Sequence, residues 1–490
     1  MSDADREIEL KFACGPEDLA AVLAAAPPGD EETHELISVY FDTPDLALKK
    51  AGASLRVREQ QGRRVQTLKR GDGVEREEYE APIEGLAPDP ALGPLPSLTP
   101  KGAELRPVFN VRVSRRQRTL RYQDAEIELA LDQGELSGGD QTRPICEVEL
   151  ELKSGPSTAL FALARELSAA ADLHLSFDSK AARGQALVAG EPQGPRKSGN
   201  VRIARDATAG DTFRAIAQNA LAQIAANAAV LRAEPAAEAV HQLRVGVRRL
   251  RSALTTLEPL FGDDDPAAIK TDLKWLGHAC DRARNLDAFA EEALKPAEGA
   301  GNPPPGAAAL REAIDAARRR AWARARQTAA SDRFRALMIE ATAWLETGAW
   351  RDSEAARVPV EGFAGKALTR RLKALDRRRR AAEDGDDVSR HRLRIEAKKL
   401  RYSAEAFASL YSDKRVERYL RGLRRLQELL GALNDMATAE PLLAELKLTP
   451  EAAYAAGELV GLRAAAKPRL IARASKAADR LARAKPFWVT

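Results

Sequence analysis

A short stretch near the N-terminus, Glu7-Ile8-Glu9-Leu10-Lys11, alternates charged and apolar residues. In an extended strand, residues i, i+2 and i+4 share a face, so Glu7, Glu9 and Lys11 project together while Ile8 and Leu10 project oppositely. The same alternation recurs in Leu55-Arg56-Val57-Arg58, Thr67-Leu68-Lys69, Glu126-Ile127-Glu128 and Glu147-Val148-Glu149-Leu150-Glu151-Leu152-Lys153. Carboxylates two residues apart lie within ~7 Å and repel, and Arg56 repels Arg58 likewise. For any single strand, such a row reads as the solvated face of an ordinary sheet. A solvated face, however, mixes signs. Acidic rows and basic rows recurring over several strands suit a bound polyanion with a divalent metal. Glutamate oxygens would hold the hard cation, and Arg and Lys the phosphate oxygens.

A second constellation lies far along the chain. His241, Arg244, Arg248 and Arg251 fall at i, i+3, i+7 and i+10, one stripe of a helix, with Leu243, Val247, Leu250, Leu254 and Leu257 forming an apolar stripe beside it. The block recurs 150 residues later as His391, Arg394, Lys398 and Arg401 against Leu393, Ala397, Leu400 and Phe407. The offset persists downstream, where Leu260-Phe261 matches Leu410-Tyr411, Leu276 matches Leu426, and Arg284-Asn285 falls opposite Asn434-Asp435. A basic stripe usually just solvates a helix, but here both copies keep histidine in register with it. Glu396 is the one acidic residue within the two blocks, so the i±4 partners of an exposed ionic helix are missing. No Cys or carboxylate stands at ligand spacing beside either histidine, so anion binding is the simpler chemistry.

The elements that must position these residues follow from the rest of the chain. Its 490 residues carry a net charge of +5, but this averages two unlike halves. Residues 1–190 hold 23 Lys and Arg against 33 Asp and Glu, a net of −10, and residues 191–490 hold 54 against 39, a net of +15. Short period-two segments at Glu7–Phe12, Ser38–Asp42, Ser54–Glu59, Arg64–Lys69, Phe109–Arg115, Glu126–Asp132 and Ile145–Lys153 predict strands. Ala20–Ala26 and Ser157–Ala171 predict helices, the second capped by Ser157. The long helical crossovers of a parallel sheet are missing, so the pattern is antiparallel α+β or barrel. The linker 191–204 begins with Glu191-Pro192-Gln193-Gly194-Pro195 and breaks all periodicity. Its Gly194 and Lys197-Ser198 lack the spacing and the preceding strand of a phosphate loop. Residues 205–490 are Ala-, Leu- and Arg-rich with a helical period, and the duplication divides them between Gly301–Gly306 and Val358–Gly365.

No run approaches the ~18–20 apolar residues of a membrane span, and Met1-Ser2-Asp3-Ala4-Asp5 lacks the features of a signal peptide. The three cysteines, Cys14, Cys146 and Cys280, show no CxxC spacing, which argues against a disulfide framework or a thiolate zinc site and for a reducing cytoplasm.

In order, the Glu-x-Glu-x-Lys strand, Tyr40-Phe41-Asp42-Thr43, Leu55–Arg58, Gln66–Lys69, Arg76–Glu80, Phe109…Arg115, Glu128–Gly134, Ile145–Lys153 and Ser179-Lys180…Arg183-Gly184 resemble the CYTH superfamily of triphosphate tunnel metalloenzymes over roughly residues 5–190. The resemblance implies an eight-stranded antiparallel barrel with flanking helices and inward charged faces, binding a triphosphate with Mg²⁺ or Mn²⁺. It implies Glu7, Glu9, Glu147 and Glu149 as metal ligands, with Glu128, Asp132, Glu78 and Glu80 in support. Lys11, Arg56, Arg58, Lys69, Arg115, Lys180 and Arg183 would clamp phosphates. Of the cluster Arg112, Arg115, Arg116 and Arg118, only Arg115 fits the spacing, leaving the others as barrel surface. The reaction implied is hydrolysis of inorganic triphosphate. Thiamine triphosphatase and adenylate-cyclase chemistry are alternatives, disfavoured because aromatics are 5% of the chain.

The helical half resembles the CHAD domain over roughly 205–485, on both histidine blocks plus Arg284-Asn285-Leu286-Asp287 and Leu430-Gly431-Ala432-Leu433-Asn434-Asp435. Asn285 stands where the family usually has Asp. The resemblance implies two duplicated four-helix bundles facing a basic groove that binds inorganic polyphosphate. Its residues would be His241, Arg244, Arg248, Arg249, Arg251, His391, Arg394, Lys398, Lys399 and Arg401, with Arg318, Arg319, Arg424 and Arg425 as further members. Nucleic acid is the competing polyanion, but Trp275, Trp322, Trp344, Trp350 and Trp488 are scattered at core-like positions and build no stacking platform. A non-catalytic, granule-associated polyphosphate binder is the alternative to an enzyme. The expectation is a cytoplasmic, metal-dependent triphosphatase with an attached polyphosphate-binding module, associated with polyphosphate granules.

Overall fold

A computed structural model describes residues 5–71, 73–199, 201–293, 305–383 and 385–489. The start of the chain (1–4) and part of the expected junction between the repeats (301–304) lie outside these. The described chain forms two compact units, Met1–Gly194 with Ser331–Thr347, and Pro195–Ala330 with Gly348–Thr490.

In the first unit the order is β1 (Asp5–Ala13), α1 (Asp18–Ala25), β2 (Gly29–Asp42), α2 (Ala47–Lys50), β3 (Ala53–Gln60), β4 (Arg63–Arg70), β5 (Glu75–Pro82), α3 (Leu95–Leu98), β6 (Arg106–Tyr122), β7 (Ala125–Gly138), β8 (Gln141–Ser154), α4 (Ser157–Ala170), β9 (His174–Ser176) and α5 (Lys180–Val188). The strands run antiparallel in the order β5-β4-β3-β2-β6-β7-β8-β1, and β1 closes on β5 to complete the eight-stranded barrel. Asp5–Ile8 of β1 pairs with β5, while Lys11–Ala13 pairs with β9. Closure removes the edges that an open sheet would leave unpaired.

Alternation divides the residues between the two faces of the wall. Toward one end, the interior is apolar: Leu36, Tyr40, Phe109, Val111, Val113, Leu136 and Ile145 pack with Ala181 and Leu187 of α5. The helix lies so close that a Cβ on Gly184 would stand 2.2 Å from the Phe109 ring. Along the same face of β6, Arg115 and Gln117 continue where Val111 and Val113 leave off, and the interior becomes charged. A separate apolar cluster of Phe41, Leu48, Leu55, Val57, Leu68 and Leu95 lies under α2 and α3. At the start of α4 the expected Ser157 cap is corrected. Pro156 occupies the cap position in extended conformation, and no side chain caps the helix.

The helical elements are α6 (Ala209–Ala233), α7 (Ala237–Thr256), α8 (Ala267–Ala293), α9 (Ala307–Ala329), α10 (Asp332–Thr347), α11 (Glu354–Arg357), α12 (Val360–Ala381), α13 (Asp387–Ala406), α14 (Asp413–Ala444) and α15 (Pro450–Arg483). The duplication is visible in the bounds, since α7 and α13 begin and end 150 residues apart, as do the 3₁₀ turns Glu258–Leu260 and Ala408–Leu410. Buried Ile269, Leu273, Leu276, Cys280 and Ala283 of α8 recur as Tyr419, Leu423, Leu426, Leu430 and Leu433 of α14. The two copies are α6–α9 and α12–α15. Where they begin, their entering segments pair, with Ala209 N–H donating to Val358 O (2.9 Å) and Val360 N–H to Ala207 O (3.1 Å). The expected apolar stripes form the cores: Leu243, Val247, Leu250, Leu254, Leu393, Ala397, Leu400 and Phe407 are all buried. One helix departs from this plan. α10 joins the barrel unit, where it packs on α4 and its Glu340 accepts from Arg165 at 2.9 Å.

Candidate functional site

The charged end of the barrel encloses a cavity of about 320 Å³. Glu7, Glu9 and Lys11 of β1, Arg56 and Arg58 of β3, Lys69 of β4, Glu78 and Glu80 of β5, Arg115 of β6, Glu128 of β7, Glu149 of β8 and Lys180 of α5 all line it. Register explains the convergence, because residues directly opposite in an antiparallel pair share a face. Lys11 stands opposite Glu149, Arg115 opposite Asp132, Lys69 opposite Glu78, Glu7 opposite Arg76 and Arg56 opposite Thr67.

Nearly every carboxylate in this network meets a cation. Lys69 reaches Glu7 at 2.6 Å and Glu78 at 3.1 Å, Arg76 bridges Glu7 (3.2 Å) and Glu9, and Lys11 bridges Glu9 and Glu149 (3.2 Å). Arg115 donates twice to Asp132 (2.7 and 2.6 Å) and once to Glu149 (2.6 Å). Lys180, at the start of α5, touches Asp132 (2.6 Å), Glu149 (3.0 Å) and Glu147, and Arg183 one turn later also meets Glu147. Burial alone would raise these carboxyls, but Lys11, Lys180 and Arg115 hold Glu149 well below the usual glutamate range, and Lys69 with Arg76 lowers Glu7. Burial does raise the Glu151 carboxyl. Around Arg56 and Arg58 the neutralisation is less complete, with Arg56 hydrogen-bonded to Tyr40 and, against burial, raised by Tyr40, Glu78 and Glu80. Among the described residues the Arg58 side chain forms no ion pair or hydrogen bond, and burial with the neighbouring Arg56 and Arg115 pushes it down to about 10. The Nε atoms of both Arg56 and Arg58 are buried without a partner.

Asp132, Glu147 and Glu149 each offer an oxygen within 4.8 Å of the others, a hard donor set that fits a divalent cation. The cation now among them is the Lys180 ammonium.

The second unit gathers the other constellation. Arg244 and Arg248 of α7 lie in the same electrostatic neighbourhood as Arg394 and Lys398 of α13. Burial together with Arg394, Arg248 and Arg244 pushes the Lys398 amine down to about 6. The Nε atoms of Arg244, Arg248, Arg394 and Arg401 are buried with no partner. Burial lowers His241, helped by Arg284, while His391 Nδ1 and Asn434 Oδ1 stand 2.6 Å apart.

Comparison with known families agrees with both halves. Residues 5–185 match the CYTH domain and residues 215–444 the CHAD domain. The chain carries a CYTH domain followed by a CHAD domain. An inorganic triphosphatase of Haemophilus influenzae is 34% identical over 193 residues, covering 37% of this chain and 55% of that protein, so the chain spans about half the length of this curated relative. The CHAD domain from the plant Ricinus communis has a crystal structure 29% identical, with a TM-score of 0.54, covering 60% of this chain and 98% of that one. A putative adenylyl cyclase of Hippeastrum is 21% identical with a TM-score of 0.30, covering 37% of this chain and 95% of that one.

Within the CYTH domain, most sequence-predicted residues meet in the cavity. Asp132, Glu147 and Arg183 instead stand behind its lining, joined to it through Lys180 and Arg115. Arg116 and Arg118 pair with Glu31, and Arg112 is exposed, all away from the cavity lining. Sequence reasoning assigned no role to His34, Tyr40, Arg76, Gln117, Glu151 or Lys153, which also line the cavity. Arg76 was findable, since Arg76, Glu78 and Glu80 share one face of a strand. Within the CHAD domain, Arg318 is engaged by Asp287 (3.0 Å) and Asp315 (2.9 Å). Arg424 pairs with Glu417, Arg425 with Glu428 and Lys399 with Glu396. Arg249 is lowered by burial and lies near Glu405, Arg251 and Arg319 are exposed, and Arg401 stacks on Tyr402 at 4.9 Å. No described helix is long and apolar enough to cross a membrane.

Proposed function

We propose that the CYTH domain hydrolyses inorganic triphosphate to diphosphate and phosphate, and that the CHAD domain binds linear polyphosphate. The observation that carries the first part is the adjacent Arg56 and Arg58, whose buried Nε atoms have no partner, on a cavity wall facing carboxylates that nearly all meet a cation. An anion there relieves the repulsion between them and satisfies their donors.

Lys11, Arg56, Arg58, Lys69 and Arg115 bind the phosphate oxygens, and Lys180 and Arg183 close the site from α5. Glu7, Glu9, Glu147 and Glu149, supported by Glu128 and Asp132, would hold Mg²⁺ or Mn²⁺. Such an ion, when bound, withdraws charge from the phosphoryl oxygens. The ion pairs now in the cavity must partly exchange: as phosphate takes over the lysines and arginines, carboxylates are freed for the metal. Phosphate and metal therefore bind with positive linkage, each raising the affinity for the other. Water attacks the terminal phosphorus, the bridging P–O bond breaks, and the departing diphosphate is stabilised by the basic wall. A bare phosphate chain suits the lining better than a nucleotide or thiamine ester, because its only Phe, Tyr or Trp side chain, Tyr40, is already stacked on Phe109 at 4.5 Å.

Measuring phosphate release from tripolyphosphate, thiamine triphosphate and ATP, each with and without Mg²⁺, tests this. Metal-dependent turnover of tripolyphosphate above the other two is expected, and equal or greater turnover of either ester contradicts it.

For the CHAD domain, the facing cations Arg244, Arg248, Arg394 and Lys398, with His241 and His391 at their flanks, support a site for a polyanion. Substituting Arg248 and Lys398 with Gln should weaken polyphosphate binding, read by calorimetry. Equal competition by duplex DNA at about 150 mM salt contradicts the assignment.

A further inference from the structure

A second basic feature lies on another face of the CHAD domain. The furrow between α14 and α15, of about 470 Å³, is lined by Arg418, Arg421 and Arg425 on one wall and Arg473, Lys476 and Arg480 on the other, with no acidic residue in the lining. Both walls use i, i+3, i+7 spacing, so each row of three cations extends about 10 Å along its helix. Among the described residues, Arg425 alone of the six forms an ion pair, with Glu428 at 3.1 Å. Like charges at these spacings destabilise a helix unless something compensates.

This furrow is not the central cluster. Gln427 of α14 donates to Ala397 O of α13 (2.8 Å), which fixes the side of α14 that faces the histidine helices. At about 100° per residue, Arg418 and Arg425 lie on roughly the opposite side.

The duplication supplies an internal control. Buried positions of α8 and α14 align at an offset of 150, so Arg418, Arg421 and Arg425 correspond to Ala268, Thr271 and Trp275 of the first copy. The bundle fold does not require arginine there. Tyr419 corresponds to Ile269. Both are buried, so an apolar side chain suffices for packing, yet the Tyr419 hydroxyl in the furrow has no hydrogen-bond partner.

We propose that the α14–α15 furrow is a second anion site that seats a linear polyphosphate chain on the outside of the second bundle. A single file of phosphates fits between two packed helices, whereas a duplex spans far more than their separation of about 8–10 Å. The furrow also lacks an exposed aromatic platform for unpaired bases. A chain engaging both the central cluster and this furrow gains avidity without any new contact at either.

This inference rests on the polyphosphate reading of the CHAD domain, and the test separates the two. Long-chain polyphosphate is titrated into the full chain calorimetrically over a salt series, with wild type, an outer variant (Arg418→Gln, Arg421→Gln, Arg425→Gln), a second outer variant (Arg473→Gln, Lys476→Gln, Arg480→Gln), and a central variant (Arg248→Gln, Lys398→Gln). All six outer residues are exposed, and Gln preserves helix propensity. Either outer variant should make the slope of log K against log salt shallower by about 2, the loss of three phosphate contacts. Combining an outer with the central variant should remove binding that the central variant retains. Outer variants with wild-type slope and affinity overturn the furrow and leave the central site standing. Loss of duplex DNA binding with unchanged polyphosphate binding overturns the choice of occupant. Failure of wild type to bind polyphosphate overturns the underlying reading itself.

Discussion

Lys398 carries the sharpest consequence at the residue scale. Its amine, pushed to about 6 by burial and three neighbouring arginines, is largely neutral at pH 7.5. A polyanion in the central cluster favours the charged form and raises that value. Polyphosphate binding should therefore take up a proton near neutral pH and strengthen as pH falls toward 6. Calorimetry in buffers of different ionisation enthalpy reads this directly; proton release, or none, contradicts the cluster as the site. The barrel carboxylates have the opposite sign. Glu7, Glu149 and Asp132 are all depressed in the folded state, so they add stability above their ordinary values near 4. That stability is lost as pH falls below about 4 through the folded values. Metal-free thermal melts should show the CYTH domain weakening there, and Glu149→Gln should flatten that dependence.

Among the elements, α5 matters most to the cavity, because it carries Lys180 and Arg183 and covers the apolar end of the barrel with Ala181 and Leu187. Its approach depends on Gly184, where any side chain meets the Phe109 ring. Gly184→Ala should cost about 1–3 kcal/mol, as overpacking does, and should lower turnover more than a surface substitution of equal cost by displacing Lys180. Wild-type melting and turnover in this variant contradict the tight docking. Sequence reading recovered most long elements, because period-two charge alternation and the 150-residue repeat are both strong signals. It missed β9, which is three residues long, and it read α5 only as a motif, since Lys180–Val188 is too short to show a helical period. The Ser157 cap failed because Pro156 takes the extended cap geometry itself. Of the cavity, the rows on β1, β3 and β8 were legible as alternation. Tyr40, His34 and Gln117 were not, since their inward direction comes from barrel closure and register rather than from local pattern. The assignment of α10 to the barrel unit had no local signal either, because α10 is an ordinary amphipathic helix by sequence.

Over the whole molecule, the net charge of +5 is a cancellation between an acidic half and a basic half, which on the proposed function are two ways of handling a polyanion. The barrel keeps carboxylates beside its arginines and lysines, and on the proposed function this arrangement lets metal and phosphate enter together. In the helical half the proposed site uses cations directly, and the Nε atoms of Arg244, Arg248, Arg394 and Arg401 lack partners. The linkage in the barrel should be measurable, with Mn²⁺ binding tighter in the presence of a non-hydrolysable triphosphate analogue than without it, and equal affinities contradict ion-pair exchange. The most direct test of the central claim is phosphate release from tripolyphosphate by the full chain, with and without Mg²⁺, comparing wild type with Glu9→Ala. Metal-dependent release by wild type that Glu9→Ala abolishes is the predicted result; no metal-dependent release by the folded wild type contradicts it.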